Sequence, residues 1–226
     1  TYYSSPKQVG TKTDWSFQAP TPVTDTFLHV KYDGTLWVWG QNAWGKMGIP
    51  TAVGNYSSPK QVGLSTNWSK AFIGGVHSVG IRTDGTLWTW GTNLFGALGL
   101  GNATSYSSPK QIGALTNWLT AACCYFSVLS VKTDGTLWGW GQNDTGQLGL
   151  GNTTAYSSPK QIGALTNWST VSYGTDHAMA IKTDGTLWTW GVNSFGQLGL
   201  GNTTNYSSPK QVGALTNWSS VYGCGS

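Results

Sequence analysis

Residues 183–191 read Thr183-Asp184-Gly185-Thr186-Leu187-Trp188-Thr189-Trp190-Gly191, and the same nine positions return at 133–141, at 83–91 and, with Tyr32 in first place, at 32–40. The Asp-Gly pair stands between an alternating apolar run and a Trp-x-Trp run, the short-range signature of a two-residue β-hairpin turn. Each copy is therefore expected to be the elbow of a hairpin. A second marker, Tyr-Ser-Ser-Pro-Lys-Gln, begins at Tyr3, Tyr56, Tyr106, Tyr156 and Tyr206, so that successive copies lie 53, 50, 50 and 50 residues apart. A fixed period of this size identifies an array of supersecondary units.

One unit can be followed from Trp168. Residues 168–173 pattern as a first strand, 174–176 as a turn and 177–182 as a second strand. The Asp184-Gly185 elbow leads into a third strand at 186–190, and a Gly-rich loop, 191–208, into a short fourth at 209–212. Pro209 at the start of that strand suits an edge position, where a missing N–H costs no ladder bond. Four short strands per unit with a turn at every junction predict an all-β chain, a β-propeller of four-stranded antiparallel blades. The units fall at 15–62, 68–112, 118–162 and 168–212, giving four complete blades, with orphan strands at 6–9 and 218–222. The first unit departs from the rest: Pro20 and Pro22 interrupt its first strand, and its loop loses the regular Gly-x-Leu-Gly-Leu-Gly pattern, as a capping repeat does. Four and a half blades that open on Thr1 without a Met imply a segment of a longer array, or a ring closed through another chain.

Charged residues make up 9% of the 226, Glu is absent, and the net charge of +4 is spread along the repeats, which makes nucleic acid an improbable partner. No apolar run reaches membrane-spanning length. Cys123, Cys124 and Cys224 lack metal-ligand spacing, and Cys124 and Cys224 fall on the period positions of Gly74 and Gly174, so small residues at a tight place are expected there. No metal and no cofactor is expected.

The tryptophans two apart in each third strand, Trp37/Trp39, Trp88/Trp90, Trp138/Trp140 and Trp188/Trp190, lie on one strand face. Once per unit, they read as wedges packed between neighbouring sheets rather than as a stacking platform for ligand. Asp33, Asp84, Asp134 and Asp184 precede Gly and read as turn formers. His77 and His177 are two periods apart, so they occupy equivalent positions in different blades and build no shared catalytic site. The chain is accordingly expected not to be an enzyme. Lys31, Arg82, Lys132 and Lys182 precede the turns and are expected to be compensated by the Asp two residues on; Lys60, Lys110, Lys160 and Lys210 sit in the fourth strands.

The run Lys182-Thr183-Asp184-Gly185-Thr186-Leu187-Trp188, continued through Asn193, Gly196-Gln197-Leu198-Gly199-Leu200-Gly201 and recurring from Lys132 and from Arg82 (with Ala97 for Gln), resembles the repeat of the regulator of chromosome condensation family. The resemblance covers nearly the whole chain. It implies a β-propeller, usually of seven blades, in which a histidine at the His77 and His177 position braces the blade by hydrogen bonds. Members it brings to mind include a nucleotide-exchange factor for a small GTPase, inhibitors of bacterial enzymes, ubiquitin-ligase modules, and surface or virion proteins.

Units two to four differ chiefly at 73–76, 123–126 and 173–176 and in the long loops at 94–95, 144–145 and 194–195. In a propeller these connections emerge on one rim, and loops on a rigid scaffold are where recognition resides. Trp44, Phe95, Tyr125, Phe126, Thr145, Asp176 and Phe195 are the candidate contact residues, for a protein or glycan partner. The expected function is a binding or structural module of an extracellular, appendage or virion surface, with self-assembly open; guanine-nucleotide exchange and enzyme inhibition are the alternatives.

Overall fold

The computed structural model describes residues 14–15, 25–50 and 54–223. The Asp-Gly elbow forms in every copy, with a loop one residue longer than expected. In the last copy Lys182 N–H donates to Thr186 O (3.0 Å) and Gly185 N–H to Lys182 O (2.9 Å), so Thr183, Asp184 and Gly185 make a three-residue loop. Gly185 closes it at φ 76°, a left-handed conformation that a side chain would strain. Asp184 selects this loop: its Oδ1 accepts from both Thr186 N–H (3.0 Å) and Thr186 O–H (2.7 Å).

The first sheet pairs β1 (Thr26–Val30), β2 (Leu36–Gly40) and β3 (Tyr56–Gln61) in that order. The second runs β4 (Trp68–Ile73), β5 (His77–Arg82), β6 (Leu87–Gly91), β7 (Tyr106–Gln111), and the third β8 (Trp118–Cys123), β9 (Ser127–Lys132), β10 (Leu137–Gly141), β11 (Tyr156–Gln161). The fourth is β12 (Trp168–Tyr173), β13 (His177–Lys182), β14 (Leu187–Gly191), β15 (Tyr206–Gln211). All pairings are antiparallel between sequence neighbours, the meander of a propeller blade.

Three expectations need correction. The fourth strand begins at Tyr206, not Pro209, because Tyr206 already pairs with Gly191 across the long loop. The first sheet shows three strands among the described residues, with Trp15 joined to Lys31 by a single bridge; Pro20 and Pro22 lie outside the described residues. Residues 218–222 form no strand: Trp218 N–H donates to Gly185 O (3.1 Å), as Trp168 does to Gly135 O (3.0 Å), but no second strand lies beside it among the described residues. The orphan strand expected at 6–9 and Cys224 also lie outside them.

Adjacent sheets share their cores. Leu28, Val30, Leu36, Val38 and Val62 of the first sheet pack on Trp68, Ile73 and Trp90 of the second. Val79, Ile81, Leu87 and Ile112 meet Trp118 and Trp140, and Leu129, Val131, Leu137 and Ile162 meet Trp168 and Trp190. The second tryptophan of each pair locks the joint: Trp90 Nε1 donates to Lys46 O (2.8 Å), Trp140 Nε1 to Ala97 O (3.0 Å) and Trp190 Nε1 to Gln147 O (2.9 Å). Trp90, Trp140 and Trp190 are fully buried, so each places a large apolar area and a satisfied N–H in the joint. No helix is long and apolar enough to cross a membrane.

Candidate interaction rim

Two kinds of connection gather on one rim: the turns between the first two strands of each sheet, and the Gly-rich loops that follow β2, β6, β10 and β14. Lys46 Nζ, in the first Gly-rich loop, donates to Gly75 O in the β4–β5 turn (3.1 Å). Phe95, in the second, packs edge-on against Phe126 of the β8–β9 turn, with ring centres 5.4 Å apart.

A buried asparagine builds each regular loop. Asn93 Nδ2 donates to Asn102 O (2.8 Å) and Thr104 O (3.1 Å) while its Oδ1 accepts from Leu98 N–H (2.9 Å). Asn143 and Asn193 repeat the pattern on Asn152 and Asn202 and on Leu148 and Leu198. One amide thus closes the loop from inside, leaving the two residues after it to project from the rim. The asparagine is visible in the repeat motif, but its role is a matter of loop geometry that spacing alone does not reveal.

Trp44, Phe95, Thr145 and Phe195 occupy the same loop position. In the last two loops a glutamine two residues on holds the turn: Gln147 Oε1 accepts from Thr145 N–H (3.0 Å) and Gln197 Oε1 from Phe195 N–H (2.9 Å). In the first two loops Lys46 and Ala97 replace that glutamine, and the preceding aromatic turns to positive φ, Trp44 at 68° and Phe95 at 55°. A bulky residue in the left-handed region is strained, and here two candidate anchors carry that strain.

The seven candidates do not form one cluster. Phe95, Phe126 and Tyr125 come together, Tyr125 lying 4.9 Å from Phe126 between ring centres, with Phe95 52% and Tyr125 45% exposed. Gly75 makes room for them, since a Cβ there would stand 2.7 Å from the Tyr125 ring. Trp44, 60% exposed, stands one loop away, its carbonyl accepting from Thr92 O–H (3.4 Å), and Phe195 projects alone at 94% exposure. Thr145 is occupied with Gln147, and Asp176 is half-buried beside Asp144; burial first, then the Asp144 charge, raises its carboxyl pKa.

The structural candidates behave differently. His77 is fully buried with neither ring nitrogen in a hydrogen bond, so it fills space instead of bracing its blade. Burial lowers its pKa to about 4, against the pull of the nearby Tyr125 backbone and assisted by the Lys46 charge. His177 is half-buried, its pKa lowered by burial and partly restored by Asp176. Cys124 is buried where its carbonyl accepts from Gly75 N–H (3.2 Å), a tight place between sheets.

The cations before the turns are held by indoles, not chiefly by the neighbouring Asp. Arg82 lies 3.8 Å over Trp88 and 4.9 Å over Trp68; Lys132 lies 3.7 Å over Trp138 and 4.8 Å over Trp118; Lys182 lies 3.7 Å over Trp188 and 4.9 Å over Trp168. Lys31 sits likewise over Trp15 and Trp37, with an ion pair to Asp14 at 3.4 Å. Burial lowers the pKa of Arg82, Lys132 and Lys182, and Asp84, Asp134 and Asp184 raise it only in second place. The first tryptophan of each pair is therefore half of a cation sandwich, a role distinct from the joint made by the second.

The family model described as the regulator of chromosome condensation (RCC1) repeat matches residues 33–81, 84–131, 134–181 and 184–226. Each match opens at an Asp-Gly turn, so a sequence repeat takes its first two strands from one sheet and its last two from the next, and the chain itself crosses every joint. Among curated proteins, the Arabidopsis thaliana ultraviolet-B receptor UVR8 is 33% identical over 76 residues, covering 33% of this chain and 17% of the receptor. Among solved structures, Prp20p from Saccharomyces cerevisiae, described with its binding properties to Gsp1p and histones, superposes with a TM-score of 0.79 at 20% identity, covering 93% of this chain and 53% of that one. Human WBSCR16 gives 0.78 at 24% identity, covering 90% and 54%. The chain thus spans about half the length of these solved structures, and at such identities the likeness is one of fold.

Proposed function

The chain belongs to the regulator of chromosome condensation (RCC1) repeat family, and on that premise we propose that it is a non-enzymatic binding module whose Phe95, Phe126 and Tyr125 rim docks a protein partner. The observation that carries this reading is the exposed edge-to-face cluster of three rings drawn from two neighbouring sheets. Rigid aromatic anchors at the centre of a contact supply most of its energy. A protein fits better than a glycan, because stacking a sugar asks for a flat exposed ring face, whereas these rings meet at 64° and 67° and the widest aromatic faces, those of Trp90, Trp140 and Trp190, are buried. The RCC1-like Prp20p, described as binding Gsp1p and histones, lends the class of partner plausibility. Lys132 and Lys182, buried between indoles, offer no phosphate-binding ring. A surface low in charge and rich in Ser, Thr, Asn and Gly supports a place on an extracellular, appendage or virion surface.

The test is quantitative affinity capture with the wild-type chain and with the double variant Phe95→Ala, Tyr125→Ala, run beside a glycan array. Loss of one defined protein partner by at least tenfold, with unchanged melting behaviour, is the expected result. Full retention by the double variant, or binding to the array alone, overturns the assignment.

A further inference from the structure

Every joint between described sheets uses the same knob and socket. The knob is the second tryptophan of a third strand; the socket is the Gly-rich loop of the preceding sheet, which offers a carbonyl at Lys46, Ala97 or Gln147 and a glycine two residues on. At Gly48, Gly99 and Gly149 a Cβ would stand 2.7–2.8 Å from the indole Nε1 of Trp90, Trp140 and Trp190, so the glycine is what admits the ring.

The fourth sheet carries a complete socket with nothing in it among the described residues. Gly196, Gly199 and Gly201 hold φ values of 77°, 68° and 71°, close to the 76°, 77° and 75° of Gly146, Gly149 and Gly151 in the filled loop. Yet Gly196 and Gly201 have no atom within 4 Å of a would-be Cβ, and Gly199 meets only Val212. The surrounding apolar residues are exposed in step. Val62, Ile112 and Ile162 are buried at their joints whereas Val212 is only half-buried, and Trp218 is 39% exposed where Trp68, Trp118 and Trp168 are 3%.

The matching knob is on the first sheet. Trp39 pairs across the strands as Trp90 does, and it meets Trp15 at 5.6 Å and 62°, close to the 5.9 Å and 63° of Trp68 and Trp90. It is half-buried where its three counterparts are fully buried, and its indole N–H makes no hydrogen bond among the described residues. Phe27, half-exposed and stacked on Trp39 at 5.5 Å, adds apolar surface to the same face.

We propose that the open face of the fourth sheet receives the first sheet of a second copy of this chain, with Trp39 of one copy donating its indole N–H to Gln197 O of the other. The occupant is a second copy because one chain carries both halves of the joint at opposite ends of its array. A joint of this kind is heterologous, and two copies satisfy every knob and socket only by closing on each other head to tail. This inference is independent of the aromatic rim, which faces away along a different edge of the sheets.

The test is the native mass of the 226-residue chain and two variants. Wild type is expected at twice 24.1 kDa. Leu200→Glu puts a charge where its counterparts Leu100 and Leu150 pack into a joint, and Trp39→Ala removes the knob; each is expected at the single-chain mass, with a circular dichroism spectrum like wild type. Mixing the two variants leaves one intact knob facing one intact socket, so the double mass is expected to return in part. A wild-type chain that stays single, a Leu200→Glu chain that stays double, or variants that fail to reassociate on mixing would each overturn the proposal. If Trp39→Ala fails to fold, the Leu200→Glu result decides alone.

Discussion

Position 97 controls how the rim presents its aromatics. Ala97 cannot supply the side-chain oxygen that Gln147 and Gln197 give to the backbone two residues earlier, and Phe95 sits at φ 55° as a result. Ala97→Gln should let Phe95 return to negative φ, relieving roughly 1 kcal/mol of left-handed strain and pulling its ring off Phe126. A higher melting temperature, a changed Phe95 backbone coupling and weaker partner capture are the expected readouts; a φ that stays positive would refute the account. His77 makes a second residue-scale prediction. Its folded pKa, about 4, lies below the ordinary 6.5, so the unfolded chain binds the proton more readily. The stability tied to neutral His77 is therefore complete above pH 6.5 and is lost as pH falls toward 4, by up to about 3 kcal/mol. A His77→Gln chain should melt with a flatter pH dependence across that window.

At the scale of the element, the third strand does two jobs with alternate residues of one face. Its first tryptophan covers a cation and its second crosses the joint, so substitutions at the two should differ in kind. Trp140→Phe leaves Ala97 O buried without a donor and a small void beside Gly99. The cost should be about 2–4 kcal/mol, read from denaturant midpoints. The hairpin elbow shows how far local chemistry is legible: Asp-Gly marks the turn in sequence, and the loop length then depends on where the Asp184 carboxylate finds its donors, namely Thr186 N–H and O–H.

For the molecule as a whole, the sheets form a line in which each one contacts only its neighbours, so stability is close to a sum of sheet and joint terms. Trp190→Ala weakens the joint between the third and fourth sheets without touching the first two. It should split the thermal transition, the fourth sheet melting first, and hydrogen exchange should find lost protection confined to β12–β15. Loss spread evenly over all sheets would contradict the linear picture.

Strand positions, turn sites, the faces of the tryptophan pairs and the period of the array were all readable along the chain, because each rests on contacts between residues a few places apart and recurs unchanged. Which loops meet on the rim, the sandwiching of Arg82 and Lys132 between indoles of two strands, the unpaired burial of His77 and the empty socket beside Gly199 were not readable. Those features join residues tens of positions apart, and the stacking of one sheet on the next, not any local pattern, brings their atoms within reach.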